Sequence, residues 1–188
     1  MANKIKYGLQ NVYYAKITAV TTGGYSYAAP VAWPGAVNLS MTQESGESNF
    51  YADNVVYWKT EANNGYSGTL ETALIPDDFR TDILGEVLDA KGFYVESADA
   101  HQSEFALMFQ FEGDENATRH CFYRCIASRP DVNGATKEET IEPQTETVNL
   151  SAMARLTDHV VKARAPYTAA TTSSYAKWFT AVQEPTAA

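Results

Sequence analysis

The chain has 188 residues, of which 45% are hydrophobic, 12% aromatic and 20% charged. That is an ordinary globular composition, with length for one domain and a real core. Acidic residues outnumber basic ones, 23 to 14, for a formal charge of -9. A general nucleic-acid binder needs a basic face, so the balance argues against that class.

Residues 1–8 lack the apolar centre of a signal peptide. No run approaches the roughly 20 apolar residues of a membrane helix. The chain is therefore expected to fold in a cytoplasm.

In chain order, residues 5–18 carry Tyr7, Leu9, Tyr13, Ala15 and Ile17 on odd positions and predict one or two strands. Residues 25–33 are aromatic but bounded by Pro30 and Pro34, which suits a surface connection or an edge strand. Val37, Leu39 and Met41 alternate with polar residues as a strand does. Residues 42–49 hold no apolar side chain and predict a mobile loop. The aromatic run 50–59 then leads to Asn64-Gly65, a pair that tolerates the positive φ of a two-residue hairpin turn. Tyr66, Leu70, Thr72 and Leu74 share one face of the next strand.

Pro76-Asp77-Asp78 predicts the start of a short helix, with Phe79 and Ile83 on one apolar face and Gly85 as its stop. So short a helix must lie on a sheet. Further strands are predicted at 92–96, at 105–111 (Phe105, Leu107, Phe109, Phe111), at 118–128, at 148–154 and at 161–167. Residues 137–146 are acidic and expected to be exposed. Residues 175–182 form a last element of either type, and a flexible tail is expected from about residue 183. The tally is a β-rich α+β domain spanning residues 1–188. Its expected form is two packed antiparallel sheets, sandwich- or barrel-like, with one short α-helix.

Catalytic patterns are sparse. Cys121 and Cys125, with His120 beside them, would share a strand face about 13 Å apart at roughly 3.3 Å per residue, too far for a disulfide. A zinc site needs more ligands at turn spacing, so two small buried thiols are the simpler reading. Ser174 and Lys177 have a penicillin-binding spacing but lack the partner motifs. Asp77 and Asp78 read as dipole partners of the helix. Tyr51, Tyr57, Trp58 and Tyr66 suit either a sugar platform or a core or subunit interface. No catalytic, cofactor or metal residue is assigned.

Several stretches do carry a resemblance. Tyr7-Gly8-Leu9-Gln10-Asn11-Val12-Tyr13-Tyr14-Ala15, Pro34-Gly35-Ala36-Val37-Asn38-Leu39, Phe50-Tyr51-Ala52-Asp53-Asn54 and the strand–helix run 68–85 resemble, in order and spacing, the major tail proteins of long-tailed bacteriophages, the phi13-like group. Cys121-Phe122-Tyr123-Arg124-Cys125 and residues 142–166 stand where that family has its closing strands. The resemblance covers nearly the whole chain. It implies a tail-tube fold and a structural virion protein with no catalytic residues. Copies would form rings, typically hexameric, stacked into the tube through which DNA passes without specific binding. The implied partners are further copies of the chain, the tape measure protein and tail-end proteins. The implied location is the virion tail, assembled in the bacterial cytoplasm. A tail-end ring protein and a domesticated tail-like particle fit the same resemblance. The competing class is a monomeric β-sandwich module that binds a carbohydrate or other ligand.

In the tail-tube reading, residues 42–60 form a mobile arm that reaches a neighbouring ring. Phe50, Tyr51 and Tyr57 are its expected apolar anchors. Glu44 and Glu47 are expected near Arg155, Lys162 and Arg164 of the next subunit.

Overall fold

The computed structural model describes residues 3–136 and 142–185. Eleven strands are present: β1 (Lys6–Thr21), β2 (Gly24–Tyr27), β3 (Val31–Ala32), β4 (Ala36–Ala52), β5 (Val55–Thr72), β6 (Val87–Leu88), β7 (Tyr94–Val95), β8 (Phe105–Gly113), β9 (Thr118–Ala127), β10 (Glu146–Ala152) and β11 (Lys162–Ala165). Helix α1 (Asp77–Phe79) runs into a π-helical turn (Arg80–Leu84), and α2 (Thr172–Ala176) lies near the C-terminus.

The β-rich class is as expected, but the two packed sheets are not found. Nine strands form one continuous antiparallel sheet in the order β2-β1-β8-β9-β10-β5-β4, with β3 also on β1 and β11 also on β9. Among the described strands, only β6 and β7 stand apart, as a two-stranded sheet of their own. The physical reason is that β1 and β9 change neighbours along their length. On its side away from β8, β1 takes β3 at Tyr13–Tyr14 and β2 from Ile17 onward. One edge of β9 is shared by β11 at residues 119–122 and β10 at 125–127. Register shifts break β1 between Gln10 and Tyr13, where Asn11 has φ 50°, and again between Ile17 and Ala19. Such bulges bend strands and strengthen twist. One bent sheet thereby supplies both walls of the core. The same shift in β1 moves the buried face from the odd positions expected to Val12 and Tyr14.

The helical segment plugs this core. Asp77 and Asp78 occupy the first turn after an extended Pro76, and Gly85 ends the segment with φ 82°. Glycine suits that position doubly, since a Cβ there would come within 2.9 Å of the His101 carbonyl oxygen. Phe79 and Ile83 are fully buried, as their spacing predicts, and the wider π turn brings Leu84 in beside them. The Phe79 ring lies 4.2 Å from Trp33, 5.1 Å from Tyr14 and 5.3 Å from Phe105, centroid to centroid. Polar tips of this aromatic group are satisfied. Tyr14 donates to Asp82 at 3.2 Å, and the Trp33 indole donates to the Thr72 hydroxyl at 3.2 Å.

Strand β8 is buried on both faces. Phe105, Leu107 and Phe109 join the inner core, while Ala106 and Met108 face a second cluster with Ala15, Cys121, Tyr123 and Trp178. The C-terminal segment covers that outer face. Phe179 stacks on Tyr13 at 4.9 Å, and the Arg119 guanidinium lies 3.8 Å from the Tyr175 ring centre. Tyr123 donates to the Gln183 carbonyl at 2.7 Å, and Glu184 pairs with Arg155. Gln183 thus bonds to β9 and Glu184 to Arg155, just after β10, at the start of the stretch expected to be a tail. The acidic stretch expected at 137–146 lies partly outside the described residues.

Truncating Phe79 to alanine should cost about 3–5 kcal/mol, because three aromatic neighbours lose contact with a fully buried ring. Urea unfolding of Phe79→Ala against the parent chain measures it. A loss below about 1 kcal/mol would show that the helix does not plug the core.

Candidate assembly interface

Residues 42–49 are not a loop. They are the middle of β4, paired with β5 through Thr42↔Ser67, Ser45↔Asn63, Glu47↔Glu61 and Asn49↔Lys59. Polar composition misled the expectation because both faces of this stretch are solvated. No core selects its side chains. The turn also lies elsewhere. Asp53 and Asn54 have φ 53° and 62°, the paired left-handed conformations of a tight hairpin turn. Asn64-Gly65 instead sits inside β5 at a bulge, where register shifts between Gln43 and Ser45. Gly65 has φ 102°, and a Cβ there would collide with the Ala152 carbonyl oxygen. Glycine is thus required for close approach of two strands rather than for a turn.

The bulge marks where the hairpin leaves the sheet. From Tyr66 to Thr72, β5 is flanked by β4 and β10. From Val55 to Asn64 its only neighbour among the described residues is β4. About ten residues at roughly 3.3 Å each give a two-stranded arm on the order of 30 Å long. Its large side chains are bare: Tyr57 is 72% exposed, Tyr51 63%, Phe50 58% and Trp58 55%. Phe50 faces Trp58 across the ribbon and meets the Tyr57 ring edge-on at 6.5 Å. Glu47 pairs with Lys59 at 3.0 Å and accepts from the Asn49 amide at 2.6 Å. The amide first, then the lysine, hold its carboxyl below the usual range. Glu44 accepts from the Ser67 hydroxyl.

The three expected cationic partners are separated. Arg155 is only 3% exposed and is bound by Asp158 and Glu184 of its own chain, above the Tyr123 ring. Burial works against its charge, and those two carboxylates outweigh burial and hold its pKa up. It is therefore not free to meet an incoming acid. Lys162 and Arg164 are exposed, on β11. The Lys162 ammonium lies 4.2 Å from the Tyr66 ring centre, at the root of the arm. With Lys6, 4.5 Å from the Phe111 ring, they surround His120, which stacks on Phe109 at 5.2 Å. The sequence gives no hint of this cationic group, because Lys6 lies more than a hundred residues from Lys162 and Arg164.

The other candidates are scattered. Cys121 and Cys125 are free and buried. They lie on opposite faces of β9, not one, because β9 bulges between Phe122 and Cys125 opposite Leu107 and Phe105. Burial pushes the Cys125 thiol up to about 12. His101 and His159 are exposed and lie outside the strands. Ser174 and Lys177 are exposed on and just after α2, not at the start of a core helix. Among the described residues, no group of three or more His, Cys, Asp or Glu is placed to hold a metal ion. No helix among them is long and apolar enough to cross a membrane. A crevice of about 610 Å³ opens between Asn3, Thr118, Arg164 and Tyr167, away from the exposed aromatic row. Comparison with protein-family models gives no match, and comparison with curated proteins gives none.

His120 supplies a pH signature. Burial first, then Arg164, Lys6 and Lys162, lower its pKa from 6.5 to about 4. The unfolded chain therefore takes up this proton at higher pH than the folded one. Stability should be constant above about pH 6.5 and fall as pH drops toward 4, by about 1–2 kcal/mol after allowance for solvent screening. Denaturation of His120→Gln across pH 4–7 checks this. The substitution should flatten that part of the profile, and an unchanged slope would assign it elsewhere.

Proposed function

We propose that this chain is a structural building block. Copies assemble into rings, hexameric by resemblance, that stack into the tail tube of a bacteriophage. The observation that carries the reading is the projecting arm. A two-stranded ribbon is marginal alone in water, and this one adds a row of exposed aromatic rings. Burial against another copy answers both problems. Edges are available as well: among the described residues, β4 ends the sheet order and β1 has only β8 as neighbour from Lys6 to Gln10. Strand edges of this kind can pair between subunits and close a ring. The net charge of -9 suits a lumen that repels phosphate and lets DNA slide. The tape measure protein and tail-end proteins are partners by the same resemblance. No residue is given a catalytic role.

Tyr51, Tyr57 and Trp58 also keep the ligand-binding module in play, since exposed aromatics stack on sugars. Their setting weakens it, because a ribbon in solvent lacks the concave walls of a small-ligand site.

Sedimentation velocity and negative-stain imaging over a concentration series separate the two. Large particles should appear as concentration rises. Replacing residues 46–62 with Asn-Gly keeps the Ser45↔Asn63 pairing at the root of the arm. That variant should melt as cooperatively as the parent and remain in single rings or monomers. Tubes of normal length without the arm would remove it from stacking. A monomer at every concentration that binds an oligosaccharide saturably would favour the module.

A further inference from the structure

Three cations converge on one side chain of this acidic chain. Strand β11 pairs with β9 so that Arg164 stands opposite His120 and Lys162 opposite Phe122. Strand β8 sets Phe109 opposite His120 and Phe111 opposite Thr118. Side chains alternate between faces along a strand, so Phe109, Phe111, Thr118, His120, Lys162 and Arg164 share one face. Lys6 reaches it from β1, over the Phe111 ring. Among the described residues, none of Lys6, Lys162 and Arg164 forms an ion pair, whereas Arg80, Arg124, Arg129 and Arg155 are each held by a carboxylate.

The nearby acids do not offset this group. Glu112 follows Phe111 and so takes the other face of β8, beside Gly8. Asp114 accepts the backbone N–H groups of Lys4 and Ile5 at 2.8 and 3.5 Å. The Glu115 backbone N–H donates to Asn3 in the same turn. Burial first, then Arg164, Lys6 and Lys162, hold the His120 pKa at about 4, and no carboxylate is among the groups that shift it.

Beside Arg164 this face opens into the crevice of about 610 Å³, a size typical of small-ligand sites. Arg164 is the one charged residue in its wall among the described residues. Asn3, Thr118, Tyr167 and Thr168 supply polar groups, and Pro166 an apolar one. The Asn3 amide donates to the Asn116 carbonyl at 2.6 Å and to the Thr118 hydroxyl at 3.4 Å, which fixes that wall.

We propose that the Arg164 crevice, with Lys6 and Lys162 flanking His120, binds a small multivalent oxyanion of the phosphate class. A guanidinium presents a fork of N–H groups that matches phosphate oxygens, and the two lysines add point charges. A halide or a single carboxylate would leave most of that charge unmet. All the residues belong to one copy, so the site stands apart from the assembly reading and is complete in a monomer. A bound anion favours the imidazolium form of His120 beside it, and protonation of His120 strengthens anion binding by the same factor.

Calorimetric titration with pyrophosphate at pH 7, below any assembling concentration, tests it against sodium chloride of equal ionic strength. The parent chain should bind saturably, one to one. Arg164→Ala should weaken binding at least tenfold, and Lys162→Ala by less. Both positions are exposed, so the melting temperatures should not change. The His120 ring resonances, identified by their loss in His120→Gln, should shift saturably while those of His101 and His159 stay. With pyrophosphate saturating, proton affinity at His120 should rise about tenfold. A response linear in pyrophosphate and matched by chloride marks an adventitious ion only and overturns the site. Unchanged binding in Arg164→Ala overturns it as well. No binding by the parent also overturns it. Loss of assembly in Arg164→Ala would then give the cationic face to a subunit contact and leave the assembly reading standing.

Discussion

Among the described residues, strand β5 has two neighbours from Tyr66 to Thr72 and one from Val55 to Asn64. Much else depends on that change. Within the sheet, β5 contributes Leu70 and Thr72 to the core, and the Thr72 hydroxyl receives the Trp33 indole. Trp33 in turn lies against Phe79, which seats the helical plug. Outside the sheet the same strand has no core to serve. Gly65 is the switch, because only a residue without Cβ can pass the Ala152 carbonyl at the point of departure.

Much of the inner core could be read from alternation. Val148, Leu150 and Ala152 are buried on one face of β10, and Phe105, Leu107 and Phe109 on one face of β8. The helix from Pro76 to Gly85 was legible because its start, apolar face and stop each use a distinct residue type. Alternation failed where strands bulge. In β1 and β9 an extra residue reverses which parity faces inward, and no side chain announces it. Sheet count failed for a related reason. A strand that changes neighbours midway looks the same in sequence as two strands in two sheets.

The arm was legible as a special region but not as a structure. Its polar middle resembles loop because a ribbon wet on both faces has no buried side to impose alternation. Its turn was hidden by a stronger turn signal ten residues on, at Asn64-Gly65, which the fold uses as a bulge. Among the site residues, Phe50, Tyr51 and Tyr57 are together on the arm, with Glu44 and Glu47 along it. Arg155 was misjudged because an arginine that is surrounded by tyrosines and bound by Asp158 and Glu184 differs from a surface arginine only in its neighbours.

The pairing of β5 with β10 joins residues that the ribosome makes far apart in time. Thr72 finds Glu146 only after the intervening chain has been synthesised. Until then β4 and β5 form a ribbon with an unguarded edge along its whole length, the arm included. Exposed edges on nascent chains recruit one another. The polar stretch in the middle of β4, with Glu44 and Glu47 facing water, is well suited to that interval. It keeps the incomplete ribbon soluble and leaves the aromatic rings confined to the tip.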